Sequence, residues 1–300
     1  MGTGKSVPPP FDAVGDYPHQ TGSAIKPLVY ACALAHQVLR PDEFLDDTQR
    51  VIGGQYIADW DLIDWGLLPA ATALAESRNT AAAELTRRLT PEGLAACLHD
   101  TFQIRTELHP ERYGVKLGIG LAEIPMPEIL TTYTILANSG VYLAPTTIAR
   151  LQDRQGRELP HDRRPSARRV LDCTTTAWIA QALGNVSVTL GLPATVASKT
   201  GSTDATSYIS GYTTTEVFTG WIERGSPDQG LVAVDAPAPG AAVLWQRYAA
   251  DLSRAHHSFS LLSCAPTKAQ AKPPIGAPIS GTPPPPVLVA VLLHRRENLT

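Results

Sequence analysis

Apolar residues run from Ala24 to Leu39 with few interruptions, among them Lys26, His36 and Gln37. That density predicts a helix over Ser23 to Leu39, buried on most sides. Pro27 has no N–H to donate and is tolerated only in a first turn, so the helix should begin at about Ser23 or Ala24. From Asp42 to Trp65 the pattern breaks up and reads as loop with short strands. Two short helical patterns follow, Ala70 to Glu76 and Thr80 to Leu89, separated by Ser77-Arg78-Asn79. Thr90-Pro91-Glu92 restarts the chain as a cap, a first-position proline and an acidic first turn, predicting a helix to about Phe102. Another helix opens at Pro125-Met126-Pro127-Glu128 and closes at Ala137-Asn138-Ser139-Gly140. Val141 to Leu159 reads as short strands around a turn at Asp153 to Gly156, and Asp172 can cap a helix from Thr174 to Leu183.

The periodicity then changes. Thr195 to Ser198, Ser207 to Tyr212 and Glu216 to Glu223 are rich in β-branched and aromatic residues, and the last two predict an antiparallel hairpin. Ala241 to Arg254 returns to a helical pattern, with Val243, Leu244, Tyr248 and Leu252 on one face. Ala265 to Pro286 is Pro/Ala/Gly-rich and reads as a linker or tail, and Val287 to Leu293 is apolar at strand length. Helices followed by an antiparallel sheet and a closing helix make an α+β chain.

With 300 residues, 43% hydrophobic and 18% charged, the chain can bury a large core. A net charge of −3 gives no attraction to nucleic acid. The four cysteines, Cys32, Cys97, Cys173 and Cys264, lack zinc-ligand spacing. Cys32 and Cys97 lie in apolar, helix-like surroundings and are expected to be buried thiols, although a disulfide remains open. No stretch has the length of a membrane span, and the first residues lack the apolar core of a signal peptide. Gly2-Thr3-Gly4-Lys5-Ser6 imitates a phosphate-binding loop, but Pro8 to Pro10 forbid the helix such a loop needs. The paired His256-His257 is expected to be solvated. Trp60, Trp65 and Tyr208 are expected in the core or along a cleft wall.

Three short motifs carry the candidate chemistry. Ser23-Ala24-Ile25-Lys26 opens a helix, where spacing of nearly one turn puts hydroxyl and amine on one face. Ser77-Arg78-Asn79 lies between two helices, and Lys199-Thr200-Gly201-Ser202-Thr203 ends a strand. A serine attacking an amide needs a base, and a lysine serves only when neutral. Burial of Lys26 and a second cation, Lys199, both lower its pKa. Ser77 would pass a proton toward the leaving amine. Asn79 offers an amide to a substrate peptide group. Lys199, Thr200, Gly201 and Ser202 suit a terminal carboxylate. The N–H groups of Ser23 and Ser202 would form the oxyanion hole.

This SxxK, SxN and KTG order is that of penicillin-binding proteins and class A β-lactamases. Gln20 to Pro27, Ala73 to Thr80, Thr132 to Val141, Gly211 to Trp221 and Gly240 to Tyr248 each resemble a segment of the transpeptidase domain of bifunctional (class A) penicillin-binding proteins. The resemblance covers roughly Phe11 to Arg254. It implies a β-lactamase/transpeptidase-like α+β fold, a helical lobe packed on an antiparallel sheet. Only about twenty residues precede Ser23, fewer than the family's first strands need. An N-terminally truncated domain with an open sheet edge is therefore expected. The division is residues 1–20 as lead-in, 21–255 as transpeptidase domain and 256–300 as Pro-rich tail. Arg78, bulky and charged inside the second motif, departs from expectation.

The resemblance implies a serine D,D-transpeptidase that cross-links peptidoglycan stem peptides ending in D-Ala-D-Ala through an acyl-enzyme at Ser23, and that β-lactams acylate. It implies no cofactor, no metal and no nucleic-acid partner. It places the domain at the extracytoplasmic face of the bacterial membrane or in the periplasm, with membrane contact only through an upstream anchor. The alternatives are a D,D-carboxypeptidase or β-lactamase, for which Glu111, Glu123 and Glu128 lie between the second and third motifs, and a non-catalytic β-lactam-binding sensor or inactive fragment.

Overall fold

The computed structural model describes residues 18–145, 151–159, 167–193, 195–204, 206–213, 215–223, 241, 246, 248 and 288–293. The first elements are β1 (His19–Gln20), a 3-10 turn (Gly22–Ile25) and α1 (Lys26–Ala35). Every α1 residue from Lys26 to Ala33 is buried, as the uninterrupted apolar run requires. The break at Asp42 yields β2 (Phe44–Asp46), β3 (Arg50–Ile52), β4 (Gln55–Ile57) and β5 (Leu67–Pro69), which pair as β2–β5 and β3–β4. Then come α2 (Ala70–Ala75), α3 (Asn79–Leu89), α4 (Pro91–Asp100), α5 (Pro110–Tyr113), β6 (Glu123–Ile124), α6 (Met126–Ala137), β7 (Val141–Tyr142), β8 (Arg168–Arg169) and α7 (Cys173–Thr189).

The predicted caps form. Thr90 Oγ1 accepts from Gly93 N at 3.1 Å, and Asp172 Oδ1 accepts from Thr175 N at 2.8 Å. Each such cap stabilises a helix by about 1 kcal/mol. α7 runs six residues beyond the predicted end at Leu183 because Val186 and Ser187 are buried against the rest of the fold.

The main sheet has the order β12-β11-β10-β9, with β9 (Ala197–Ser202), β10 (Thr206–Tyr212), β11 (Glu216–Glu223) and β12 (Leu288–Leu293). The first three are antiparallel, as predicted. Tyr208 and Tyr212 face the main helical core, and Ile209 and Phe218 face a smaller cluster with Val196 and Ala241. The period-two alternation of the strands thus serves two packed faces.

Two expectations are corrected here. The sheet edge at β11 is not open: β12 pairs with it in parallel, Glu216 opposite Leu288 through Trp221 opposite Leu293. No described strand before α1 joins this sheet, since β1 pairs with β6. A strand distant in sequence therefore satisfies the backbone donors and acceptors of the β11 edge. Second, Cys32 and Cys97 are not thiols but a disulfide across 65 residues, tying α1 to α4. Spacing could not distinguish two buried thiols from a bond, because only the packing of α1 on α4 brings the two sulfurs together. Cys173 is also disulfide-bonded. The predicted helix of 241–254 lies mostly outside the described residues, apart from helical positions 241, 246 and 248. The tail of 265–286, the phosphate-loop imitation and His256-His257 lie wholly outside them.

Candidate active site

The three motifs converge because two backbones touch. Gly22 adopts φ +51°, and its N–H donates to Gly120 O at 3.1 Å. A Cβ on Gly22 would come within 2.6 Å of Ser202 O, and one on Gly201 within 2.2 Å of Thr21 O. Glycine at both positions lets β9 lie directly along the turn that carries Ser23. Among the described strands β9 bonds only to β10, and its other edge runs beside that turn. The turn is 3-10 rather than α. Three residues per turn bring Ser23 and Lys26 into line on one side.

Lys26 is fully buried and donates from Nζ to Asn79 Oδ1 at 2.7 Å, to the Ser77 carbonyl, and at longer range to Ser77 Oγ at 3.4 Å. Lys199, also fully buried, donates to the same Ser77 Oγ at 2.8 Å and to Thr200 O at 2.9 Å. The Ser77 hydroxyl thus sits between two amines. No hydrogen bond joins Ser23 Oγ to Lys26 Nζ. The half-buried Asn79 side chain is fixed in orientation, because its Nδ2 also donates to Ala58 O at 2.9 Å. Thr200 is half-buried, Gly201 buried and Ser202 exposed at the end of β9.

The electrostatics favour neutral amines. Burial pushes Lys26 well below the usual lysine range and the Lys199 cation pushes it further; Asp59 and Asp47 oppose this, and Arg78 adds to it. Burial lowers Lys199 to about 7, against the opposing charge of Glu76. Two fully buried lysines that meet on one hydroxyl cannot both hold protons without a large desolvation cost.

The carboxylates beside Arg78 have no counterpart among the residues singled out from sequence. Arg78 is fully buried, with Nε donating to Asp47 Oδ2 at 2.7 Å, Nη1 to Asp61 Oδ2 at 2.7 Å and Nη2 to Ile63 O at 2.6 Å. The only hint in the sequence was a charged residue inside the second motif, read as a disturbance. Trp60 and Trp65 are 65% and 45% exposed, so of the two places expected for them, core or cleft wall, the core is excluded. Trp65 instead lies 4.8 Å from the Arg78 guanidinium. Tyr208 is buried in the core rather than lining a groove. Glu128 accepts from the Arg105 and Thr106 backbone, Glu111 bonds His109 and Glu123 is exposed on β6, so none of the three bonds to the motif residues. Among the described residues no group of acidic, histidine or cysteine side chains could hold a metal ion, and no helix is long and apolar enough to cross a membrane.

Residues 16–242 match the model of the penicillin binding protein transpeptidase domain. The chain belongs to this family. No curated protein matches it. Among solved structures, the penicillin-binding protein PonA1 from Mycobacterium tuberculosis is similar at 19% identity and TM-score 0.68, over 91% of this chain and 80% of that one. The D,D-transpeptidase domain of a peptidoglycan glycosyltransferase from Eggerthella lenta is similar at 19% identity and TM-score 0.57, over 66% of this chain and 58% of that one. Penicillin-binding protein A from M. tuberculosis, as an imipenem acyl-enzyme complex, is similar at 17% identity and TM-score 0.58, over 67% and 53%. The chain therefore spans less than two thirds of the length of the last two. At these identities the likeness establishes the transpeptidase fold and leaves the chemistry to be argued from the site.

Proposed function

We propose that the chain is a serine D,D-transpeptidase acting on peptidoglycan stem peptides that end in D-Ala-D-Ala, and that β-lactams acylate the same serine. The observation that carries this reading is the meeting of two buried lysines on Ser77 Oγ beside the Ser23 turn. Ser23 Oγ attacks the carbonyl carbon of the penultimate D-Ala and gives its proton to neutral Lys26. The N–H groups of Ser23 and Ser202 stabilise the resulting oxyanion. Ser77 passes the proton to the departing D-Ala nitrogen, the C–N bond breaks and an ester remains on Ser23. An acceptor amine then attacks that ester and restores the serine. Asn79 fixes Lys26 and orients the peptide, while Lys199, Thr200, Gly201 and Ser202 receive the terminal carboxylate. The Cys32–Cys97 disulfide favours an oxidising, extracytoplasmic location.

The test is incubation with a fluorescent penicillin. One stable adduct per chain supports the reading. Rapid release of hydrolysed penicillin would favour a β-lactamase, and no adduct in a folded sample would favour the inactive alternative.

Lys199 makes a second prediction. With its pKa near 7, it loses charge as pH rises through 7, so the rate constant for acylation by a carboxylate-bearing penicillin should fall over that range. Lys199→Arg keeps its charge and should remove this basic limb from the profile. An unchanged limb in Lys199→Arg would refute the assignment.

A further inference from the structure

Arg78 and three aspartates surround the second motif from behind. Arg78 is flanked in sequence by Ser77 and Asn79, the two residues that bond Lys26. Its guanidinium is fully buried and engages Asp47, Asp61 and the Ile63 carbonyl, with Asp59 Oδ1 3.7 Å from Nε. Asp59 also accepts the Asn79 backbone N–H, capping α3 from twenty residues away, and its other oxygen lies 2.9 Å from Thr80 Oγ1. Thr80 Oγ1 in turn lies 2.5 Å from Asp47 Oδ1. Ser77 has φ +60°, a left-handed backbone that a residue with a Cβ adopts only when its surroundings enforce it. That residue is held at its own N–H, which donates to Leu74 O at 3.1 Å, and on its C-terminal side by Arg78 N donating to Ala73 O at 2.9 Å and by the buried Arg78 side chain.

We infer that Arg78, with Asp47, Asp59 and Asp61, is a positioning device that holds Ser77 and Asn79 around Lys26 and sets the charge environment of that amine. The inference rests on the transpeptidase reading above. Among the described residues none of the four side chains bonds to the Ser23 turn, so their action passes through the second motif. From the cap position before α3, Arg78 binds Asp47, Asp61 and Ile63 of the segment between β2 and β5. That segment is thereby tied to the catalytic motif. The groups facing Lys26 are Lys199 from β9, Asp47 and Asp59 from the segment before α2, and Arg78 with Ser77 and Asn79 from the α2–α3 junction. In this arrangement Arg78 offsets the carboxylates, and Lys26 experiences a small difference between opposing charges rather than either alone.

The test compares acylation of Ser23 by a fluorescent penicillin across pH in Arg78→Gln, Arg78→Lys, Asp59→Asn and Asp61→Asn, with folding checked by circular dichroism. Arg78→Gln should slow acylation about tenfold or more and move the acid limb of the profile to higher pH, because the carboxylates then stabilise protonated Lys26. Asp59→Asn keeps an acceptor for the Asn79 N–H and removes a negative charge, so it should move the limb to lower pH. Arg78→Lys retains the charge without the planar fork, and should restore the limb while leaving the rate reduced. Opposite shifts from Arg78→Gln and Asp59→Asn are not produced by a merely structural role. If Arg78→Gln does not fold, the near-isosteric Asp59→Asn and Asp61→Asn decide. Wild-type rate and wild-type profile in the folded variants would overturn the inference while labelling of the wild type stands. Failure of the wild type itself to label would overturn the transpeptidase reading, and the inference with it.

Discussion

Lys26→Met is expected to slow acylation of Ser23 by a penicillin by about 10²–10⁴-fold, the usual contribution of a positioned general base. Methionine fills similar space and is at ease in the apolar surroundings of α1, so the fold should survive. The variant removes the acceptor for the serine proton together with the bonds to Asn79 Oδ1 and the Ser77 carbonyl. Ser23→Ala supplies the limit, since no covalent adduct at all should form. The comparison is made by following labelling with time and by the mass of the intact protein. Lys26→Met labelling at the wild-type rate would show that another group takes the proton. Lys199 would then be the next candidate, because it too reaches Ser77 Oγ, at 2.8 Å.

The second large effect is on stability. Replacing both Cys32 and Cys97 by alanine opens a loop whose ends are 65 residues apart. Loop closure of that length restricts the unfolded chain by about 4 kcal/mol, which corresponds to a fall in Tm of about 10 °C for a domain of this size. The loop contains the second motif and the aspartates that bind Arg78, and one end lies on the helix that carries Lys26. Loss of the bond should therefore reduce labelling at temperatures where the wild type is unaffected. Thermal melts of the double variant, beside wild type with and without reductant, measure the effect. A Tm unchanged within a degree or two would mean that packing of α1 on α4 is sufficient alone.

Much of the site was legible because its chemistry is written in short local patterns. Ser23 and Lys26 share a turn. Lys199 was expected at a strand end and lies inside β9, which runs on to Ser202. Most helix boundaries were legible for the same reason: prolines, acidic caps and terminal glycines act on the nearest turn. The strand order of β9 to β11 followed from adjacency. The reading failed where a residue's role depends on distant partners. Arg78 appeared as a departure from the second motif, and its three carboxylates were not singled out at all. Trp60 and Trp65 were expected in the core or along a cleft wall because large aromatic rings usually are buried, yet both are exposed, and Trp65 lies against Arg78.

By itself, then, the sequence determined the order of helices and strands, the three motifs and the chemistry their residue types permit. Local propensities and side-chain pKa tendencies act over a few residues, and these features require nothing longer in range. Only the tertiary structure decided which groups meet. It directed Lys26 to Asn79 and Ser77 rather than to Ser23 Oγ, and it joined Cys32 to Cys97. It also placed β12 in parallel on the β11 edge and enclosed Arg78 among Asp47, Asp59 and Asp61. These contacts are long-range, and their energy comes from burial and pairing that exist only once the whole core has closed around α1.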